Sequence, residues 1–132
     1  MLNQLKAFSY LNFFLLFSFT VLFLRIILNI QIGLPLHFDE AQYWDWSQHL
    51  DWGYFSKPPL LAFLIRMVTE ICGNGESCIR SLSPLLHFST SLIIFHAVYL
   101  LTISFKKAFL GSFLYLFMPG ISFSSFLIST DV

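Results

Sequence analysis

Asp39 and Glu40 follow directly on a long apolar stretch, in the run Leu36-His37-Phe38-Asp39-Glu40-Ala41-Gln42-Tyr43-Trp44-Asp45-Trp46. An ionised carboxylate in apolar surroundings must keep water or find a partner, so an acidic pair at a membrane surface is expensive to leave idle. The aromatic neighbours set the run at the lipid–water boundary. A reactive acid at that depth suits chemistry on a substrate carried by a lipid. The structural alternative is a solvated helix start, where acids favour the positive end of the dipole. Lys57 is the one cation in residues 31–65, facing Asp39, Glu40, Asp45 and Asp51, for a net charge of −3. It can serve the acids or anchor on a phospholipid through its long stem.

The elements that position these groups are read from the hydropathy. The chain has 132 residues, 57% of them hydrophobic, and a mean hydropathy of +0.76. Charged residues make up 11%, against roughly 25% in a soluble domain. This predicts an all-α, polytopic membrane protein with three spans, at about residues 8–30, 82–103 and 108–128. The first is too long for a signal-peptide core, and no small-residue cleavage site follows it. Lys6 precedes the first span and Lys106-Lys107 separate the second and third. The positive-inside tendency then puts the N-terminus in the cytoplasm of an inner-membrane protein, with residues 31–80 outside. A net charge of zero argues against nucleic acid as a partner.

Two interfacial helices are expected in the external stretch. Residues 39–50 place Tyr43, Trp46, Ser47 and Leu50 at helical spacing, an apolar side for the membrane surface. Pro58-Pro59 starts a second helix over 60–71, with Leu60, Phe63, Leu64, Met67, Val68 and Ile71 on one face and Arg66 and Glu70 off it. It is too short to cross, and Gly73-Asn74-Gly75 ends it. Glu76 and Arg80 stand i, i+4 and can form a local salt bridge. Cys72 and Cys78 are spaced for a small disulfide loop in an oxidising compartment. Arg25, inside the first span, either snorkels outward or pairs with Asp39 or Glu40. His87 and His96, nine residues apart on one helix, face opposite ways, which favours helix contacts over a shared metal. His37 could orient an acceptor. Trp44, Trp46 and Trp52 form an interfacial belt or, less simply, a stacking surface for a sugar. Pro119-Gly120 should kink the third span.

Four local patterns in order carry a resemblance. They are Asp39-Glu40 leading into Tyr43-Trp44, then Tyr54-Phe55-Ser56-Lys57-Pro58-Pro59-Leu60, then Gly75-Glu76-Ser77-Cys78-Ile79-Arg80, and finally Thr130-Asp131. Together they resemble the N-terminal part of the GT-C membrane glycosyltransferases, in the protein O-mannosyltransferase-like and aminoarabinose-transferase-like branches of glycosyltransferase family 39 type. Such enzymes take a sugar from a polyprenyl-phosphate carrier and pass it to an acceptor hydroxyl on the external side.

The resemblance implies that Asp39, with Glu40 beside it, is the catalytic-site carboxylate, and that Asp131 is a second external acid that assists. The chemistry wants a general base at the acceptor hydroxyl and a cation for the departing phosphate. Asp39 fits the first role, and Lys57 fits the second as a point charge that reaches a lipid phosphate. An acid often precedes the Lys-Pro in the aminoarabinose-transferase branch. Here that residue is Ser56, so neither a metal nor any other cofactor is expected. The family's chains are much longer, so residues 1–132 read as a single N-terminal segment, incomplete alone. Its expected partners are the polyprenyl-phosphate sugar donor, membrane lipid and the rest of a split enzyme. The alternative is a small non-catalytic membrane protein or assembly subunit.

Overall fold

A computed structural model describes residues 2–33, 35–55 and 57–128. It is all-helical among those residues, with six helices: α1 (Leu2–Ile32), α2 (Phe38–Gln48), α3 (Leu60–Cys72), α4 (Glu76–Thr102), α5 (Phe105–Phe117) and α6 (Pro119–Ser124). Two of them, α1 and α4, are long and apolar enough to cross a membrane, and most of their apolar surface lies outside the fold. At 31 residues α1 reaches about 46 Å. It stops at Gly33, whose φ of 56° suits a residue without Cβ.

Two apolar clusters mark the two ends of the bundle. At one end Phe14 of α1 stacks on Phe95 of α4 at 4.2 Å, and Ala108 of α5 closes the cluster beside Tyr99 and Phe105. Lys106 and Lys107 open α5 at this end. At the other end Tyr43, Leu61, Ile65, Ile79, Leu82 and Ile128 pack together, so α2 and α3 form a cap where α1 ends, α4 begins and α6 has just finished. Both short helices fall close to their expected bounds. Pro59 is the residue before α3, and Gly73 follows it with a φ of 88°.

The expected third span is interrupted. Met118 is extended, with φ −58° and ψ 129°, and splits the stretch into helices of 13 and 6 residues. Pro119 has no N–H to continue the ladder, which turns the expected kink into a break. Arg25 answers it. Its Nη2 donates to Leu116 O at 2.6 Å and to Ser122 Oγ at 3.3 Å. Arg25 is buried, so it does not snorkel, and its contacts are to a freed carbonyl and a serine hydroxyl rather than to Asp39 or Glu40. Asn29 Nδ2 donates to Ser125 O and Ser83 Oγ to Ser124 O, tying α1 and α4 to the same break. Small polar side chains binding across helices are the usual glue of a membrane interior. His87 joins them, with Nδ1 2.9 Å from the Tyr115 hydroxyl and Nε2 3.0 Å from Ser124 Oγ, while His96 is exposed.

Two apolar faces point differently from expectation. The Tyr43–Ser47 side of α2 is buried against the protein, not laid on the membrane surface. On α3 the buried residues are Leu61, Ala62, Ile65 and Thr69, while Leu60, Met67 and Ile71 of the expected apolar face are exposed. Arg66 and Glu70 pair with each other at 2.9 Å on the surface.

Candidate active site

The first turn of α2 carries both acids, and the helix sends them to different places. Glu40, its third residue, curls back so that Oε2 accepts the His37 N–H at 2.7 Å. This is the reciprocal contact of a helix start, and an acid there also meets the positive end of the dipole. The same carboxylate is 1% exposed. Arg80 Nε reaches its two oxygens at 3.0 and 3.2 Å and Nη2 reaches Oε2 at 2.6 Å. Ile128 N–H donates to Oε1 at 3.1 Å. Arg80 Nη2 also donates to Pro35 O at 2.7 Å. Glu40 therefore joins the start of α2, the first turns of α4 and the chain after α6 in one buried knot.

That knot replaces the expected Glu76–Arg80 pairing. Both residues lie in the first turns of α4, but the Arg80 guanidinium points inward to Glu40, where burial rewards a bidentate partner. Glu76 stays exposed. Cys72 and Cys78 are joined by a disulfide with Cα atoms 5.9 Å apart, which staples the end of α3 to the start of α4 beside the knot.

Asp39 turns the other way. Its side chain is 34% exposed and lies 3.7 Å from Lys57 Nζ, whose side chain is 16% exposed. The separation is that of an ion pair without a direct short hydrogen bond. The two residues come from α2 and from the loop before α3. That loop is pinned back by aromatic packing: Tyr54 stacks on Trp46 at 4.5 Å and 6°, and its hydroxyl donates toward Trp46 O and His49 O at 2.9 and 3.1 Å. Lys57 Nζ also sits 5.1 Å from the centre of the Tyr43 ring, which is wholly buried. Trp52 is exposed, and Trp44 bonds Asn74 Oδ1 at 3.4 Å. Asp131 lies outside the described residues.

A cavity of about 290 Å³ shares Leu61 and Ile128 with the cluster around Tyr43 and is lined further by Ser83, His87, Tyr115 and Ser124; among the described residues its wall holds no carboxylate, lysine or arginine. Among the described residues no group of three or more His, Cys, Asp or Glu could hold a metal ion. The arrangement offers a half-exposed carboxylate able to accept a proton and an adjacent ammonium able to meet an anion. Sequence reasoning missed Tyr43 and Tyr54 as parts of this site. Their signal was the aromatic spacing Tyr43–Trp46, which reads equally as a membrane-facing side.

No family model and no solved structure matches the chain. Over 88 residues it is 43% identical to the lipid A galacturonosyltransferase RgtD of Rhizobium johnstonii, a match covering 61% of this chain. The chain spans 17% of the length of that curated relative, so the likeness is to one part of a much larger glycosyltransferase.

Proposed function

We propose that the chain is part of an integral-membrane glycosyltransferase of GT-C type, moving a sugar from a polyprenyl-phosphate carrier to an acceptor hydroxyl on the external face of the inner membrane. The carrying observation is the separation of the two acids. Glu40 is consumed in a buried ion pair, whereas Asp39 stays half-exposed beside Lys57. Asp39 takes the proton of the acceptor hydroxyl as its oxygen attacks the anomeric carbon. The bond from that carbon to the phosphate oxygen breaks, and Lys57 meets the charge left on the polyprenyl phosphate. Asp131 assists as the second external acid. The similar protein is named for lipid A, so lipid A is the acceptor class proposed, and a uronic sugar is the first donor to try.

The fold supports the membrane placement. The cap of α2 and α3 sits opposite the Lys106-Lys107 end, so a cytoplasmic N-terminus puts the acids outside. In this reading α5 and α6 together supply the third crossing as a broken helix. Their combined helical length is about 29 Å, close to a hydrocarbon core of about 30 Å.

The test is Asp39→Asn in the full-length protein, assayed for transfer from a labelled polyprenyl-phosphate sugar to lipid A in membranes with matched expression. The amide keeps size but cannot take the proton, so turnover should fall by about 10²–10⁴-fold. Near-native turnover would leave Asp39 as a helix-start residue only and remove this mechanism.

A further inference from the structure

We infer that Tyr43 is a positioning residue for Lys57: its buried ring face is a seat that holds the ammonium beside Asp39. The inference deepens the proposed function and rests on it for the meaning of Lys57. Lysine ends in a compact charge on a flexible four-carbon stem, so something must fix where that charge stands. The Asp39 carboxylate, 3.7 Å away and itself part-exposed, is a loose restraint. The Tyr43 ring is rigid by comparison. It is 0% exposed, packed among Leu61, Ile65, Ile79, Leu82 and Ile128, and met edge-on by Trp46 at 5.4 Å and 90°. Lys57 Nζ lies 5.1 Å from its centre, within the range where a ring quadrupole attracts a cation. A ring face holds charge without fixing the direction of any N–H. It can keep the ammonium in place while those donors turn toward an incoming phosphate.

The same ring links the seat to the fold. Trp46 touches Tyr43 on one side and stacks on Tyr54 on the other. The loop that delivers Lys57 and the ring that receives it are therefore parts of one aromatic row.

Cation binding by a ring falls as fluorine withdraws electron density, while ring shape changes little. The experiment therefore starts from Tyr43→Phe in the full-length protein and installs mono-, di- and trifluorinated phenylalanine at the same position. The expected result is a stepwise rise in KM for the polyprenyl-phosphate sugar, reaching roughly threefold to tenfold, with kcat changing much less. A flat KM across the series would overturn the seat, because a purely packing role is indifferent to fluorination. A second arm needs no turnover. Lysines are reductively ¹³C-methylated and the Lys57 signal is assigned with Lys57→Arg. Ring current should displace that signal upfield from the other lysines, and Tyr43→Leu should return it to them. A Lys57 signal at the common position in the native protein would also overturn the inference. Failure of the proposed reaction would show instead as a native enzyme that uses no such donor, with the Lys57 signal still displaced.

Discussion

Replacing Arg80 with Met strands Glu40, and the structure sets the size of the effect. The Glu40 carboxylate is 1% exposed, so water cannot replace what is removed. Arg80 supplies three of its close contacts, at 2.6, 3.0 and 3.2 Å, leaving the N–H groups of His37 and Ile128. Hydrogen bonds to charged groups contribute about 1.5–3 kcal/mol each, but the two partners share one desolvation cost, so they do not sum. Removing one member of a buried ion pair costs about 3–5 kcal/mol, and Arg80→Met should fall in that range. Glu40→Gln should lose somewhat less, since the amide oxygen still accepts one donor. The double variant Glu40→Met with Arg80→Met should be more stable than Arg80→Met alone, because an apolar pair leaves no orphaned charge. The assay is denaturant unfolding of purified full-length protein in one mild detergent, read by tryptophan fluorescence, with the double-mutant cycle giving the coupling. An Arg80→Met variant within about 0.5 kcal/mol of native, or strictly additive losses, would refute the knot as the anchor of the site. Asp39→Asn should cost less than about 1 kcal/mol in the same assay, which separates the two acids experimentally.

Arg25→Met should destabilise the protein by about 1–2 kcal/mol, since Leu116 O loses a 2.6 Å charged donor and keeps only Ser122 Oγ at 3.4 Å; no loss in the same unfolding assay would mean the hydroxyl suffices. A cysteine placed at Gln48, in the cap, should react with a membrane-impermeant thiol reagent in intact cells, and protection there would invert the topology. Alkylation of denatured protein before and after reduction should reveal two thiols only after reduction, as the Cys72–Cys78 bond requires; labelling of both without reductant would show them to be free.

The short helices were legible because their punctuation is local. Pro59 and Gly73 act on the backbone of their own neighbourhood, and the bounds of α3 follow. The inward face of α3 was not legible, for a physical reason. In a soluble protein the apolar stripe marks the core, but a surface touching lipid is as apolar as one touching protein. The inner face sets the smaller Ala62 and Thr69 beside Leu61 and Ile65, while Met67 and Ile71 face out, so apolarity alone does not separate the two sides. Arg80 shows the same limit in charge. Glu76 was the nearest acid in sequence, but the chosen partner lies 40 residues away, and only the packing of α2 on α3 and of α3 on α4 brings it near. Of the site itself, the types Asp39 and Lys57 were readable. Their proximity and the ring beneath Lys57 depend on how the 49–57 loop folds back, which no periodicity reports. The broken helix was half-readable: Pro119 announced the interruption, but not that an arginine from α1 would fill it.

The knot at Glu40 also imposes an order of events on biogenesis. Glu40 emerges 40 residues before Arg80 and 88 residues before Ile128, both of which it must meet. At about 5–20 residues per second, the second wait lasts about 4–18 s. For the first 40 residues of it the acidic turn has no countercharge from α4 and must stay hydrated. The carboxylate can be fully buried only once Arg80 of α4 and the chain after α6 have both reached it. Insertion of the later helices therefore acts as a checkpoint: a nascent chain that stalls before Ile128 carries the acids but not the finished site.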